Sequence, residues 1–230
     1  MLTSLPPANA FHVKHSISTP EQFQAAFDVS RETLDRLRIY ADLLVTWNAK
    51  INLVSPDSIP NLWQRHITDS AQLFRLIPHN TTSLLDMGSG AGFPGLVLAI
   101  LGVQNVHLVE SDQRKIAFLR EAARVSGAQV IFHPGRIESI PAFQVQVVTA
   151  RALAPLDRLL DWTERFRGPD TLCLFLKGQS VEAELTDAYK QWTMVVRRHA
   201  SVTDPTGTIL TLREVRRVRD DSVRDEPVHP

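Results

Sequence analysis

The feature that most constrains this chain is the run Asp86-Met87-Gly88-Ser89-Gly90-Ala91-Gly92-Phe93-Pro94-Gly95. It joins a short apolar segment, Ser83 to Met87, to an apolar stretch that ends at Leu101 before Gly102. Glycines so closely spaced let the backbone turn sharply and leave the main chain open to a ligand. A strand that feeds a helix through such a turn opens a parallel α/β sheet, whose ligands bind beyond the carboxyl ends of the strands. The alternation continues downstream. Val106 to Glu110 reads as the second strand and 112–126 as an amphipathic helix stopped by Gly127. Strands are predicted at 129–133, 145–150 and 171–177, with helices at 155–167 and 181–190. Two strand-like runs, 192–199 and 208–217, are linked through the turn Asp204-Pro205-Thr206-Gly207 with no helix between them. They must pair as a hairpin, so one strand runs antiparallel. The prediction is an α/β, Rossmann-like sheet of seven strands, mostly parallel.

The first 80 residues have a different character. Thr19-Pro20-Glu21-Gln22 is a capping box with proline at the first helical position. Ser30 starts a longer helix, with Leu34, Leu37, Ala41 and Leu44 along one face. Pro56-Asp57 interrupts it, and a further helical stretch is predicted from Ser58 to Pro78. The expected division is a flexible N-terminus over 1–18, a helical segment over 19–80, the sheet domain over 81–218 and a disordered polar tail over 219–230.

Composition narrows the function. There are 25 basic and 25 acidic side chains, and 43% of residues are hydrophobic. This excludes a disordered chain and a protein that holds nucleic acid by bulk charge. Cys173, the single cysteine, lies in the apolar run Leu172 to Leu176 and reads as a buried, inert thiol. Gly95 to Val103 is too short to span a bilayer, and the N-terminal MLTSLPPANAFHVKHS lacks the apolar core of a secretory signal. A cytoplasmic protein with no membrane partner is expected.

Glu110 closes the second strand twenty residues after Gly90. A carboxylate there can accept hydrogen bonds from the ribose hydroxyls of a nucleoside. Gly90 to Gly95 also fits G-x-G-x-x-G, so a nicotinamide dinucleotide must be weighed. Asp86 at the strand end opposes a pyrophosphate, the chain has one nucleotide-sized half, and the closing hairpin is unlike a dinucleotide fold. S-adenosylmethionine carries a sulfonium, an ammonium and a ribose but no phosphate, and the acidic Asp86 and Glu110 are consistent with it.

Several motifs, in order, resemble the bacterial RsmG (GidB) family over nearly the whole of residues 30–215. They are Trp47-Asn48-x-x-Ile51-Asn52-Leu53, Arg65-His66-Ile67-Thr68-Asp69-Ser70, the glycine turn, Arg114 to Arg120, Gly135-Arg136-Ile137-Glu138, Ala150-Arg151-Ala152 and Leu176-Lys177-Gly178. The resemblance implies a class I S-adenosylmethionine-dependent methyltransferase with a helical N-terminal extension. It implies methylation of N7 of a guanosine in 16S rRNA of the small ribosomal subunit, by a monomer with no DNA partner. It also implies cofactor contacts at Gly88, Phe93, Glu110, Ile137, Glu138 and Arg151, to which the reading of the turn adds Asp86 and Gly90. Asn52, Arg65, His66, Asp69, Arg151 and Lys177 are candidates for positioning guanine or RNA. Arg114-Lys115, Arg197-Arg198 and the arginines at 213, 216, 217 and 219 are candidates for phosphate contact. Segment 197–219 has six basic and two acidic residues, a local charge of +4. Guanine N7 has an in-plane lone pair and no proton, so no catalytic dyad, triad or metal is expected. The alternatives are a class I methyltransferase acting on a small molecule or a protein, and a non-catalytic nucleoside-binding partner in ribosome assembly.

Overall fold

The computed structural model describes residues 17–218. The predictions for 1–16 and 219–230 lie outside the described residues. Ile17 is buried, and its carbonyl accepts from the Thr68 hydroxyl at 3.4 Å, so ordered chain begins before residue 19.

Helix α1 (Pro20–Phe27) starts at the Thr19–Gln22 capping box, and α2 (Arg31–Asn48) starts at Ser30, whose hydroxyl accepts from the Thr33 amide at 3.0 Å. The predicted helix from 58 to 77 is broken. Pro56–Asn61 winds as a 3-10 helix, Trp63–Thr68 as a π-helix, α3 spans only Asp69–Ala71, and Gln72–Leu76 is 3-10 again. Pro60 has no amide to give and crowds the preceding turn, which denies the start of this stretch a regular i→i−4 ladder. The irregular winding matters because it brings the His66 and Asp69 side chains and the Arg65 carbonyl onto Arg151 at the end of β4.

Seven strands form one sheet in the order β3-β2-β1-β4-β5-β7-β6. They are β1 (Leu84–Met87), β2 (Val106–Glu110), β3 (Val130–Pro134), β4 (Val145–Arg151), β5 (Arg167–Lys177), β6 (Trp192–Ala200) and β7 (Thr208–Arg217). Strands β1 to β5 pair in parallel, and β7 inserts antiparallel between β5 and β6. The hairpin expected from the missing helix therefore exists, and its second strand is the antiparallel one. The strand β5 begins four residues earlier than predicted, because Arg167 pairs with Val145 across an irregular register before Gly168-Pro169.

Helices α4 (Gly95–Ile100), α5 (Gln113–Ser126), α6 (Leu156–Thr163) and α7 (Val181–Ala188) complete the sandwich. The two-residue period of β1 sorts its side chains. Leu84 packs with α2, α4 and α5, and Leu85 and Met87 pack with α6 and α7. The helical segment lies on the α5 face, where Arg36 of α2 donates to the Ser126 and Gly127 carbonyls at 2.6 and 3.0 Å, capping the carboxyl end of α5. That packing brings the N-terminal segment over the carboxyl ends of β1 and β4.

Candidate active site

Three parts of the chain meet beyond the carboxyl ends of the strands. The glycine turn supplies Gly88 to Phe93, the strand β4 supplies Arg151, and the helical segment supplies Asn61 to Asp69. The hairpin turn Thr203-Asp204-Pro205 closes one side. Together they enclose a cleft of about 670 Å³. That is ample for a nucleoside-sized ligand.

The turn is held from beneath and behind. Tyr40, fully buried on the apolar face of α2, donates its hydroxyl to the Ala91 carbonyl at 2.5 Å. Asp86 is also fully buried. Its Oδ2 accepts from the Gly95 amide at 3.2 Å and its Oδ1 from the Thr149 hydroxyl at 2.8 Å. This corrects the expectation that Asp86 faces the cofactor. Parity places it on the inner face of β1, under the turn, where it fixes the start of α4. Burial pushes its carboxyl up to about 6, against the hydrogen bonds from Thr149 and Gly95. The folded chain therefore binds more protons than the unfolded chain between pH 3.8 and about 6, so this group's contribution to stability falls as pH rises through that window. Asp86→Asn should gain stability relative to wild type on going from pH 5 to pH 7.5. Thermal melts at the two pH values check this, and an unchanged difference in Tm would sink it.

Glu110 stands where the sequence placed it, at the end of β2 and nearly buried. Its Oε2 accepts from the Gly90 amide at 2.9 Å, and its Oε1 from the Ser111 and Asp112 amides at 2.7 and 2.8 Å. Three of roughly four lone-pair positions are thus taken by backbone, which fixes the carboxylate rigidly beside the turn. Gly88 lines the cleft at φ +64°. Gly90 faces open space: a Cβ placed there would meet only the Gly88 carbonyl within 4 Å.

The strongest electrostatic feature centres on Arg151. Its guanidinium donates to the Arg65 carbonyl at 3.1 Å, to Asp69 Oδ2 at 3.2 Å and to His66 Nδ1 at 3.1 Å. It also lies 4.9 Å from the Phe93 ring centroid, and the His66 ring stacks on the same phenyl at 5.1 Å. Arg151 thereby ties strand, turn and helical segment into one unit. A guanidinium cannot accept, so His66 Nδ1 is the acceptor and Nε2 carries the proton. Nε2 donates to Ser58 Oγ at 2.7 Å, and Ser58 donates to the Ser55 carbonyl at 2.6 Å. Burial, with the Arg151 and Arg65 charges, lowers the His66 pKa to about 3. The ring is neutral in the folded protein. Its unfolded counterpart takes a proton near pH 6.5, so stability from this group is present above that pH and is lost on acidification toward 3. In NMR titrations the His66 ring should stay neutral to below about pH 5, and a midpoint near 6.5 would refute the arrangement.

Asp69 is spent on structure. Oδ1 accepts from Thr203 at 2.7 Å and Gln72 at 2.9 Å, and Oδ2 pairs with Arg151. Burial raises its pKa while Arg151 opposes the rise. Arg65 is exposed at the rim. Asn52 is exposed and outside the cleft lining, although its neighbours Leu53 and Val54 line it, held by the Asn48 side chain at 2.9 Å each.

Lys177 departs from its expected role. Its side chain is 7% exposed, pairs with Glu184 Oε2 at 2.6 Å and donates to the Ala154 carbonyl at 2.7 Å. Its charge is consumed in pinning the loop after β4, so it does not offer itself to a phosphate. Ile137 packs into the α6–α7 core, and Glu138 is exposed in the 3-10 turn after β3, so neither side chain lines the cleft. Arg114 is paired with Asp112 at 3.1 Å, whereas Lys115 reaches the cleft. Tyr40, Ser58, Thr149 and Thr203 are not among the residues the sequence singles out. Only Tyr40 leaves a signal there, as a polar tip within an apolar stripe.

Comparison with known proteins agrees with this geometry. The family model for GidB, rRNA small subunit methyltransferase G, matches residues 33–210. The chain is 56% identical over 200 residues to ribosomal RNA small subunit methyltransferase G of Paramagnetospirillum magneticum, covering 87% of this chain and 98% of that one. It is 55% identical over 199 residues to the same enzyme of Rhodospirillum rubrum, covering 86% and 99%. Among solved structures it resembles a putative O-methyltransferase from Klebsiella pneumoniae with a TM-score of 0.54 at 15% identity, over 85% of this chain and 96% of that one. It also resembles M. jannaschii TYW2 in complex with AdoMet with a TM-score of 0.53 at 14% identity, over 74% and 80%. The structural likenesses establish the class I methyltransferase fold.

Proposed function

The chain belongs to the rRNA small subunit methyltransferase G family, and on that footing we propose that it transfers the methyl group of S-adenosylmethionine to N7 of a guanosine in 16S rRNA. The observation that carries this reading is the cleft shared by the glycine turn and the Arg151 cluster, with the Glu110 carboxylate fixed behind that turn on the Gly90 amide. S-adenosylmethionine fits the residues present. Gly90 leaves room for close approach, Glu110 is held at the end of β2 where a ribose would lie, and no phosphate needs a cationic partner. Gly88, Gly90, Phe93, Glu110 and Arg151 would hold it, with the turn formed by Ile137 and Glu138 beside Glu110. When bound, the cofactor supplies an electrophilic methyl group.

The protein's own work is then alignment. Guanine N7 needs no base, and neither His66 nor Asp69 is poised as one, because His66 is neutral with both ring nitrogens engaged and Asp69 is bonded on both oxygens. Rigid placement of a bound nucleophile replaces proton transfer as the source of rate. Arg65 and Lys115 at the rim supply positive charge toward RNA. We further propose a monomer acting in the cytoplasm without DNA. No helix among the described residues is long and apolar enough to cross a membrane.

Mass mapping of 16S rRNA from cells lacking the protein should show one N7-methylguanosine lost, restored by the intact gene. Survival of every such nucleotide would end the proposal. Calorimetry should detect S-adenosylmethionine binding and no tighter binding of NAD.

A further inference from the structure

The basic residues of the closing hairpin divide between two faces of the sheet, and the faces differ in charge. Met194 and Val196 of β6 face α6 and α7 with Leu210 and Leu212 of β7. On that side Arg198 pairs with Glu182 at 2.8 Å, and Arg217 pairs with Asp161 and Glu164 at 2.8 and 3.1 Å. Those arginines are neutralised.

On the opposite face Val195, Arg197 and His199 alternate along β6, with Arg213, Thr211 and Ile209 as their cross-strand partners on β7. The helical segment covers this side of the sheet only as far as Arg75 and Leu76. Beyond them lies a groove of about 420 Å³. Three arginines (Arg75, Arg197 and Arg213) line it against one acidic residue, Glu214. Neither Arg197 nor Arg213 has an ion-pair partner among the described residues. Arg213 reaches only the Asp170 carbonyl, at 3.5 Å. Val195 is 48% exposed between them, so nothing in the described chain covers the face.

The groove lies within reach of the cleft. From Arg197, the chain runs along β6 and on to Thr203, which bonds Asp69, and six residues span at most ~20 Å. Arg197 and Arg213 are diagonal neighbours on adjacent strands, about 7–8 Å apart at their bases. Each presents a planar fork suited to phosphate oxygens.

We propose that this face of the β6–β7 hairpin docks the phosphate backbone of the rRNA flanking the target guanosine, with Arg197 and Arg213 as the phosphate contacts. The inference rests on the reading of the protein as an rRNA methyltransferase and assigns that substrate a second contact surface outside the cleft. Within the +4 segment, Arg198 and Arg217 are thus paired on one side of the sheet while Arg197 and Arg213 stand on the other.

The test uses the full chain, with 16S rRNA and small subunits from cells lacking the enzyme. For Arg197→Gln with Arg213→Gln, rRNA affinity should fall by roughly 10-fold at moderate salt, and the slope of log affinity against log salt should flatten by about 1.4–1.8, as expected for two lost phosphate contacts. Calorimetric affinity for S-adenosylmethionine should not change. Arg198→Gln, on the neutralised face, should leave all three values at wild type. Wild-type affinity and slope in the double variant would overturn the proposal, as would an equal loss in Arg198→Gln, which would signal bulk charge. Normal binding to rRNA with lost binding to subunits would place a ribosomal protein in the groove and also overturn it. Failure of the wild-type protein to methylate either RNA would instead sink the functional reading, and this proposal with it.

Discussion

Arg151→Ala should lower methyl transfer by ~10²-fold or more, the scale on which misplacement of about 1 Å costs rate. The residue bridges the helical segment and the glycine turn across the cleft. It holds the Arg65 carbonyl, Asp69 and His66 of the helical segment while lying over Phe93 of the glycine turn. Its side chain and that of Asp69 are 18% and 16% exposed, so the pair is largely desolvated. Removing one partner leaves Asp69 with a buried charge answered only by Thr203 and Gln72. Losing half of a buried pair costs about 3–5 kcal/mol, and the residual exposure argues for the lower end. At about 2–4 °C per kcal/mol for a chain of this size, Tm should drop by roughly 6–12 °C. Arg151→Lys separates charge from geometry. A single ammonium cannot reach Asp69, His66 and the Arg65 carbonyl in one plane, so activity should stay low while Tm recovers in part. The His66 ring should also become easier to protonate in the alanine variant, because one of the charges opposing its protonation is gone. A variant with near-normal turnover and an unmoved His66 titration would refute the assigned role.

How much of this was legible in the sequence depends on what each residue's signal meant physically. The seven strands were legible because parallel strands read as short, nearly continuous apolar runs, and the antiparallel strand followed from a missing helix. Glu110 was legible because a strand end fixes both its position and its direction. Asp86 was not, since an acid in a four-residue buried strand can face the ligand or the core, and only the parity of β1 against its neighbours decides. Lys177 misled for a related reason. Its long stem lets the ammonium fold back to Glu184, a partner seven residues away that sequence spacing does not announce. The stretch 56–76 kept a helical apolar pattern while its hydrogen bonding changed type three times. Periodicity reports which face is buried, and says little about whether the winding is 3-10, α or π. The Arg151 cluster joins residues more than eighty positions apart, so no local pattern could have assembled it.

The glycines of the turn separate binding from folding, and Gly88→Asp exposes the difference. Gly88 has φ +64°, a conformation that aspartate tolerates better than most residues. A Cβ there would come within 2.5 Å of Leu153 Cδ1, but Leu153 is 36% exposed at the tip of a surface loop and can swing aside. The fold should therefore lose only ~1–2 kcal/mol, the usual cost of placing an L-residue in the left-handed region. The new side chain would add bulk at the wall of the cleft that Gly88 lines, and that filled space opposes a cofactor seated against the turn. Affinity for S-adenosylmethionine should fall at least ~100-fold, equal to about 2.7 kcal/mol, with far-UV circular dichroism unchanged. Gly95→Ala should behave in the opposite sense. Its Cβ would meet Leu108 Cδ2 at 2.5 Å and the Asp86 side chain at 2.7 Å, both fully buried, so nothing nearby can yield. Overpacking of this kind costs ~1–3 kcal/mol or more, and here it also displaces the carboxylate that fixes α4. A folded Gly88→Asp protein that still bound the cofactor would show that the ligand does not approach the turn at this glycine, whatever the rest of the cleft holds.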